Sequence, residues 1–361
     1  MNTITSRGFL LSSLMALMLA GALASSEQTD AVLPNQEKLD AHEIPTESRA
    51  IGDFNADGSV NFSDFLFLLE NWGVEFDGVA LGFSDFLVML ENWGSVPEYT
   101  IMLPGDVSLS MVRIPAGSFV MGSPEDERSR MEREGPQTNV TISKYFYMGK
   151  YTVTQGQYEA VMGAGNWPDP TSNPDRTGGL YGRGDFHPMY YVSWHDAQDF
   201  IDALNQHIAA TGQRAPKMRL PTEAEWEYAC RAGTTTRFFF GDSLEAGDDC
   251  EGTLLRAMTM WYCGNRPTAQ QYTKPVGGLL ANPWLLHDMH GNVREWCQDW
   301  YHHELPGGSV TDPTGPATGT FKVLRGGHYA SPASSCRSAT RSGTGPSHRA
   351  NSAGFRLVCD P

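Results

Sequence analysis

The sequence predicts an α+β fold with low regular secondary structure, preceded by a small helical pair. Three observations carry that expectation. Glycine (38), proline (22) and tryptophan (9) are abundant among the 361 residues, which favours long turns pinned by aromatic anchors over a helix bundle or a regular sandwich. Strand-like runs and helix-capping signatures alternate through the C-terminal part. Closer to the N-terminus, one motif occurs twice. The length accommodates one substantial domain and a smaller one.

Residues 1–24 read as a signal peptide. Arg7 precedes an apolar run from Gly8 to Leu23, and Ala22-Leu23-Ala24 has the small-x-small spacing of a cleavage site. The run is short for a spanning helix and polar sequence follows it. The mature chain is therefore expected to be exported (periplasmic, cell-surface or secreted), with no membrane span left after signal removal. Residues 25–50 lack an apolar period and read as a flexible leader.

Residues 51–97 hold the duplication. Phe62-Ser-Asp-Phe-Leu-Phe-Leu-Leu-Glu-Asn-Trp-Gly73 returns as Phe83-Ser-Asp-Phe-Leu-Val-Met-Leu-Glu-Asn-Trp-Gly94, and each copy reads as a short helix that needs the other to cover its apolar face. Before the first copy, Asp53, Asn55, Asp57, Ser59, Asn61 and Asp64 place oxygen donors at EF-hand spacing around Gly58, with Asp replacing the usual final Glu. That pattern predicts a calcium loop. The second copy's segment, Val74-Glu-Phe-Asp77-Gly78, is shorter and lacks the first ligands, so no tight calcium site is expected there.

Beyond Tyr99 the elements are mixed. Ser110 to Gly122 reads as two strands joined by a Pro-Ala-Gly turn, and residues 123–137, rich in Glu, Asp and Arg, as a solvated loop. Thr154-Gln-Gly-Gln157 opens a helix that stops at Gly163. Ser193-Trp-His-Asp196 is a capping box before an apolar stripe of Ala197, Ile201, Leu204 and Ile208. Thr222-Glu-Ala-Glu225 is another, its helix ending by Gly233. The longest loops are expected after residue 234, and Phe355-Arg-Leu-Val358 reads as a closing strand.

A formal net charge of -16 argues against nucleic-acid binding, which needs clustered Lys and Arg. An acidic surface suits calcium binding and plain solubility equally. All six cysteines lie in the C-terminal part, and an even number in an exported chain favours disulfides, with 15 possible pairings. No Cys-x-x-Cys or Cys/His spacing points to zinc. His287, His290, His302, His303 and His328 are read as scattered hydrogen-bonding groups rather than a metal triad.

Five motifs then occur in order: Val112 to Gly122, Arg219-Leu-Pro-Thr-Glu-Ala-Glu-Trp-Glu-Tyr-Ala229, Leu286-His-Asp-Met-His-Gly-Asn-Val-Arg-Glu-Trp296, Arg325-Gly-Gly327 and Gly354-Phe-Arg356. Together they resemble the sulfatase-modifying-factor domain of formylglycine-generating enzymes, over residues 108–361. The resemblance implies a duplicated, irregular C-type-lectin-like fold. It implies a calcium loop in which Asp288, Gly291, Val293 and Glu295 supply the ligands. It also implies a Cys230–Cys359 disulfide; Cys297 with Cys336 and Cys250 with Cys263 are further candidate pairs. The EF-hand repeat resembles type I dockerins, which implies a protein partner.

Formylglycine-generating enzymes bind Cu(I) through two cysteines, the first a few residues after Arg-Gly-Gly. Here that position holds Ser331, and a hydroxyl does not replace a thiolate for a soft ion. The second position falls on Cys336 when counted forward without gaps, but misses it when counted back from Arg341. His328 stands where the family has serine, and Arg294 where it has tryptophan. Copper is accordingly not expected. The sequence reads as an exported family member with a calcium-stabilised scaffold that binds a peptide or glycan, its oxidase site altered. The alternatives are an active oxidoreductase working through Cys336, Ser331 and His328 on a sulfatase cysteine, and a pure binding module tethered by the dockerin-like repeat.

Overall fold

The computed structural model describes residues 75–76, 79–80, 98–168, 182–242, 250, 254–265 and 272–361. The signal peptide, the leader, the calcium-loop residues Asp53, Asn55, Asp57, Ser59, Asn61 and Asp64, and both copies of the repeated motif lie outside the described residues. Between the copies, β1 (Glu75–Phe76) and β2 (Val79–Ala80) form a minimal antiparallel hairpin. Among the described residues, no helix is long and apolar enough to cross a membrane.

The two strands expected around Pro115 are present, as β4 (Val107–Ile114) and β5 (Gly117–Met121), but they do not pair. Both edges of β4 are already taken, by β3 (Glu98–Leu103) on one side and β7 (Phe146–Gly149) on the other. With its backbone groups satisfied, β4 has no ladder to offer. So β5 starts a second sheet with β6 (Thr138–Ile142), which pairs in parallel with β10 (Ser309–Thr311). The β3-β4-β7 sheet is completed by β14 (Val358–Cys359) and β8 (Met218–Arg219). A third sheet has the order β12 (Arg341–Thr344), β11 (Lys322–Arg325), β9 (Arg294–Trp300), β13 (Ala353–Phe355), with β13 parallel to β9.

Four helices are described: α1 (Gln155–Met162), α2 (Trp194–Thr211), α3 (Glu223–Arg231) and α4 (Leu254–Thr259). The first three start at complete capping boxes on Thr154, Ser193 and Thr222, each worth on the order of 1 kcal/mol. The expected stripe of α2 is buried and stacks Phe200 on Tyr158 at 5.3 Å. Strand alternation lets β9 separate two cores: Trp296 belongs to the α2 side and Cys297 to the α3 side.

The acidic segment 123–137 is not a solvated loop throughout. Arg337 reaches into it and grips the fully buried Glu134 through two bonds of 2.7 and 2.8 Å, and also binds Glu127. Carboxylates that read as surface charge are buried because a distant guanidinium neutralises them. The expected closing strand is likewise two strands: Phe355 ends β13 and Val358 begins β14, in different sheets. Arg356 sits at that crossover.

Of the three candidate disulfides, one is present and two are not. Cys250–Cys263 is formed, whereas Cys230, Cys297, Cys336 and Cys359 are free and buried. Cys230 and Cys359 cannot meet because they serve different cores, Cys359 on the α2 side and Cys230 at the end of α3. Cys297 and Cys336 are likewise separated, Cys336 packing in a third cluster with Phe238, Phe240 and Tyr262.

Arg356 is fully buried and donates to Glu295 at 3.0–3.2 Å, while its other N–H groups bind the carbonyls of Gly149, Lys150 and His287. Removing one member of such a pair leaves an uncompensated charge, so Arg356→Gln is expected to lose about 3–5 kcal/mol. The Glu295→Gln/Arg356→Gln double variant should recover part of that loss in thermal unfolding. A double variant as unstable as the single one would show that the charge pair is not what holds the crossover.

Candidate functional site

The Arg219 and Asp288 runs converge on α3 and β9. All of α3 is buried, and each of its charged side chains has a partner of opposite charge. Glu225 closes the capping box and takes Arg219 at 2.6 and 2.7 Å. Glu223 takes Arg341 through two bonds of 2.6 and 2.7 Å. Trp226 donates its indole N–H to Glu295 at 2.7 Å. Burial alone would raise Glu227, but Arg231 and Arg325 hold it below the usual carboxylate range, with help from the Gly122 N–H.

The loop between Asp288 and Glu295 owes its shape to unusual backbone angles. Asp288 and Asn292 adopt positive φ, and Gly291, at φ 111°, passes so close to Trp261 that a Cβ would lie 2.0 Å from its carbonyl oxygen. The Asn292 side chain bonds both backbone groups of Lys274 at 3.0 Å. Val293 buries its side chain against Gly354.

Do these residues suit calcium? Asp288 does: desolvation pushes its buried carboxyl up to about 6, with the Gly277 N–H at 2.9 Å and the Asn292 side chain opposing the shift. Glu295 does not. Its oxygens already accept from Thr152 at 2.6 Å, from Trp226 and from Arg356, whose guanidinium neutralises it. A carboxylate saturated by a buried cation has no charge to offer a second one. As a four-ligand set, Asp288, Gly291, Val293 and Glu295 do not fit the ion.

The three candidate catalytic residues are brought close together. Ser331 Oγ accepts from the His328 N–H at 3.1 Å, and its carbonyl accepts from Cys263 at 3.0 Å. Burial pushes the Cys336 thiol up to about 12, although Arg294 pulls the other way. His328 is pushed down to about 4 by burial and by Arg294. Cys263, which shares the cluster of Cys336, is already tied to Cys250. A neutral thiol, a hydroxyl and a bridged sulfur do not make the dithiolate that Cu(I) requires.

His287, His290 and His302 engage their rings in hydrogen bonds. His290 donates from Nδ1 to the Cys336 carbonyl at 2.7 Å and accepts at Nε2 from Phe239 at 3.2 Å, with Phe238, Phe239 and Phe240 around its ring. Burial pushes it down to about 4. Among the described residues, no three His, Cys, Asp or Glu side chains converge as metal ligands. What the sequence did not show is a cleft where Arg133 joins Arg294 beside the Arg-Gly-Gly turn. The tryptophan position occupied by Arg294 was the one available signal.

This arrangement, mixed sheets with few helices around α3, β9 and the Arg-Gly-Gly turn, defines an irregular α+β domain. A family model described as the sulfatase-modifying factor enzyme 1-like domain matches residues 105–361. The formylglycine-generating enzyme of Mus musculus is 30% identical over 306 residues, covering 69% of this chain and 75% of that protein. Among solved structures, PvdO from Pseudomonas aeruginosa matches with TM-score 0.61 and 29% identity, over 73% of this chain and 99% of that one. Treponema denticola variable protein 1 matches with TM-score 0.58 and 28% identity, over the same shares. The chain belongs to the sulfatase-modifying factor enzyme 1-like family.

The buried thiols give a direct check. Native protein should react negligibly with an aromatic disulfide reagent, and denaturation without reductant should release four thiols. A count of two would restore a second bridge.

Proposed function

We propose that this protein is a binding member of its family, one that recognises a peptide or glycan on a lectin-like scaffold without oxidising a cysteine. The observation that carries this reading is the pairing of Ser331, at the family's first cysteine position, with a Cys336 thiol that is fully buried and pushed up to about 12. The deciding assay incubates the purified full chain with copper, oxygen and a Cys-x-Pro-x-Arg peptide, followed by mass spectrometry. No formylglycine is expected. Its appearance at enzyme-like rates would establish the second reading, an active oxidoreductase, which the 30% identity to a formylglycine-generating enzyme favours.

Export and tethering belong to the same reading. The signal-like N-terminus would deliver the protein outside the cytoplasm, and Asp53, Asn55, Asp57, Ser59, Asn61 and Asp64 would bind calcium and dock the chain to a protein partner. Calorimetric titration should show calcium binding that Asp53→Ala/Asp57→Ala removes. Binding unchanged by that variant would rule out the EF-hand assignment.

A further inference from the structure

We infer that the cleft between Arg133 and Arg294 is a binding site for a small oxyanion group, such as sulfate, phosphate or carboxylate. This rests on the binding function proposed above and names the chemistry of its ligand. The cleft has a volume of about 50 Å³, and its charged lining consists of Arg133, Arg294, Arg325 and Arg341, with the hydroxyls of Ser335 and Ser342 beside them. No carboxylate lines it.

Two of the four guanidinium groups are already neutralised. Arg341 is held by Glu223 at 2.6 and 2.7 Å, and Arg325 is paired with Glu227. The other two are not: among the described residues, neither Arg133 nor Arg294 has a carboxylate within ion-pair distance. The Arg133 side chain donates to the Met131 thioether at 2.7 Å, a weak acceptor. Its Nε is buried without a hydrogen-bond acceptor; the Nε of Arg325, lining the same cleft, also lacks a hydrogen bond but has Glu223 at 3.6 Å. Arg294 is held below the usual guanidinium range by burial, and Arg133 adds repulsion.

Converging donors without acceptors, next to like charges without counter-charges, define what is missing. Water can satisfy an N–H but cannot neutralise two guanidinium groups. An oxyanion does both, because its oxygens accept in the planes of the forks and its charge relieves the repulsion. Volume sets the size: the cleft has room for one such group, not for a sugar ring or a peptide segment. The group is thus a free ion or the charged end of a larger ligand whose remainder lies outside. On a chain with a formal net charge of -16, the cleft is a local cationic spot.

The test uses the full chain in calorimetric titrations with sodium sulfate, sodium phosphate and sodium acetate, at ionic strength held constant with chloride. Saturable binding of at least one anion is expected, and the order among the three identifies the preferred group. Arg133→Gln and Arg294→Gln should each weaken it about tenfold, equivalent to roughly 1.4 kcal/mol. Arg294→Lys, which keeps charge but loses the fork, should fall between, and Arg294→Trp should abolish binding. Circular dichroism verifies folding, and because the two residues come from separate segments, one well-folded variant suffices. No saturable heat with any anion, or binding that these variants leave unchanged, would overturn the assignment. Formylglycine formation would sink the non-oxidising reading and leave anion binding standing; absent anion binding would do the reverse.

Discussion

The carboxylate of Glu295 is the point on which the domain's architecture closes. It lies in β9 at 1% exposure and accepts from Thr152, Trp226 and Arg356. Those donors come from the segment after β7, from α3, and from the crossover between β13 and β14. One buried anion therefore ties α3 to the segment after β7 and to the β13–β14 crossover, which already share backbone bonds with each other. Arg356 completes the arrangement by binding three carbonyls, so the guanidinium sits among a carboxylate and backbone oxygens. That is the environment a hard cation would require. Here a side chain supplies the charge, which is why Glu295 is spent and Asp288 stands apart from it.

The same device recurs through the domain. Glu134 is neutralised by Arg337, Glu223 by Arg341, and Glu227 by Arg231 and Arg325. Buried ion pairs contribute less to stability than their Coulomb energy implies, because both ions have left water. Their stronger effect is on arrangement, since any packing that separates the partners strands a charge. A loop-poor core would not need this; a chain with short strands and long turns does, because few ladders specify its register. Set against those pairings, Arg133 and Arg294 face one cleft with no carboxylate within ion-pair distance among the described residues.

Much of the local structure was legible in the sequence, and the reasons are local. Capping boxes act over four residues, so Thr154, Ser193 and Thr222 announce their helices directly. The stripe of Ala197, Ile201, Leu204 and Ile208 declares its buried face by period alone. Features set by distant partners were not legible. Nothing near Glu134 reveals that Arg337, far along the chain, will bury it. The division of Phe355-Arg-Leu-Val358 between two sheets follows from Arg356 turning inward to Glu295. The Cys230–Cys359 pairing failed for a similar reason: family likeness fixes motif positions, not which core each thiol serves. At the candidate site, Ser331 was legible as the missing sulfur, while Arg133 carried no motif at all.

The chemistry near Cys336 separates two ways of silencing a thiol. Removing positive charge is one; removing water is the other. Arg294 lies close enough to favour a thiolate, yet burial still pushes Cys336 up to about 12. Desolvation therefore outweighs a cation that would ordinarily activate a cysteine. The same cation depresses His328, so the nearest imidazole remains neutral and hydrogen-bonded within its own turn. Replacing an apolar tryptophan position by Arg294 thus gains nothing for thiol chemistry, because the thiol is shielded from the charge's usual consequence. What the charge can still act on is the cleft side, where solvent and an anion can reach it. A cation that has no internal counter-ion among the described residues and faces a small opening is the feature on which the proposed anion recognition rests.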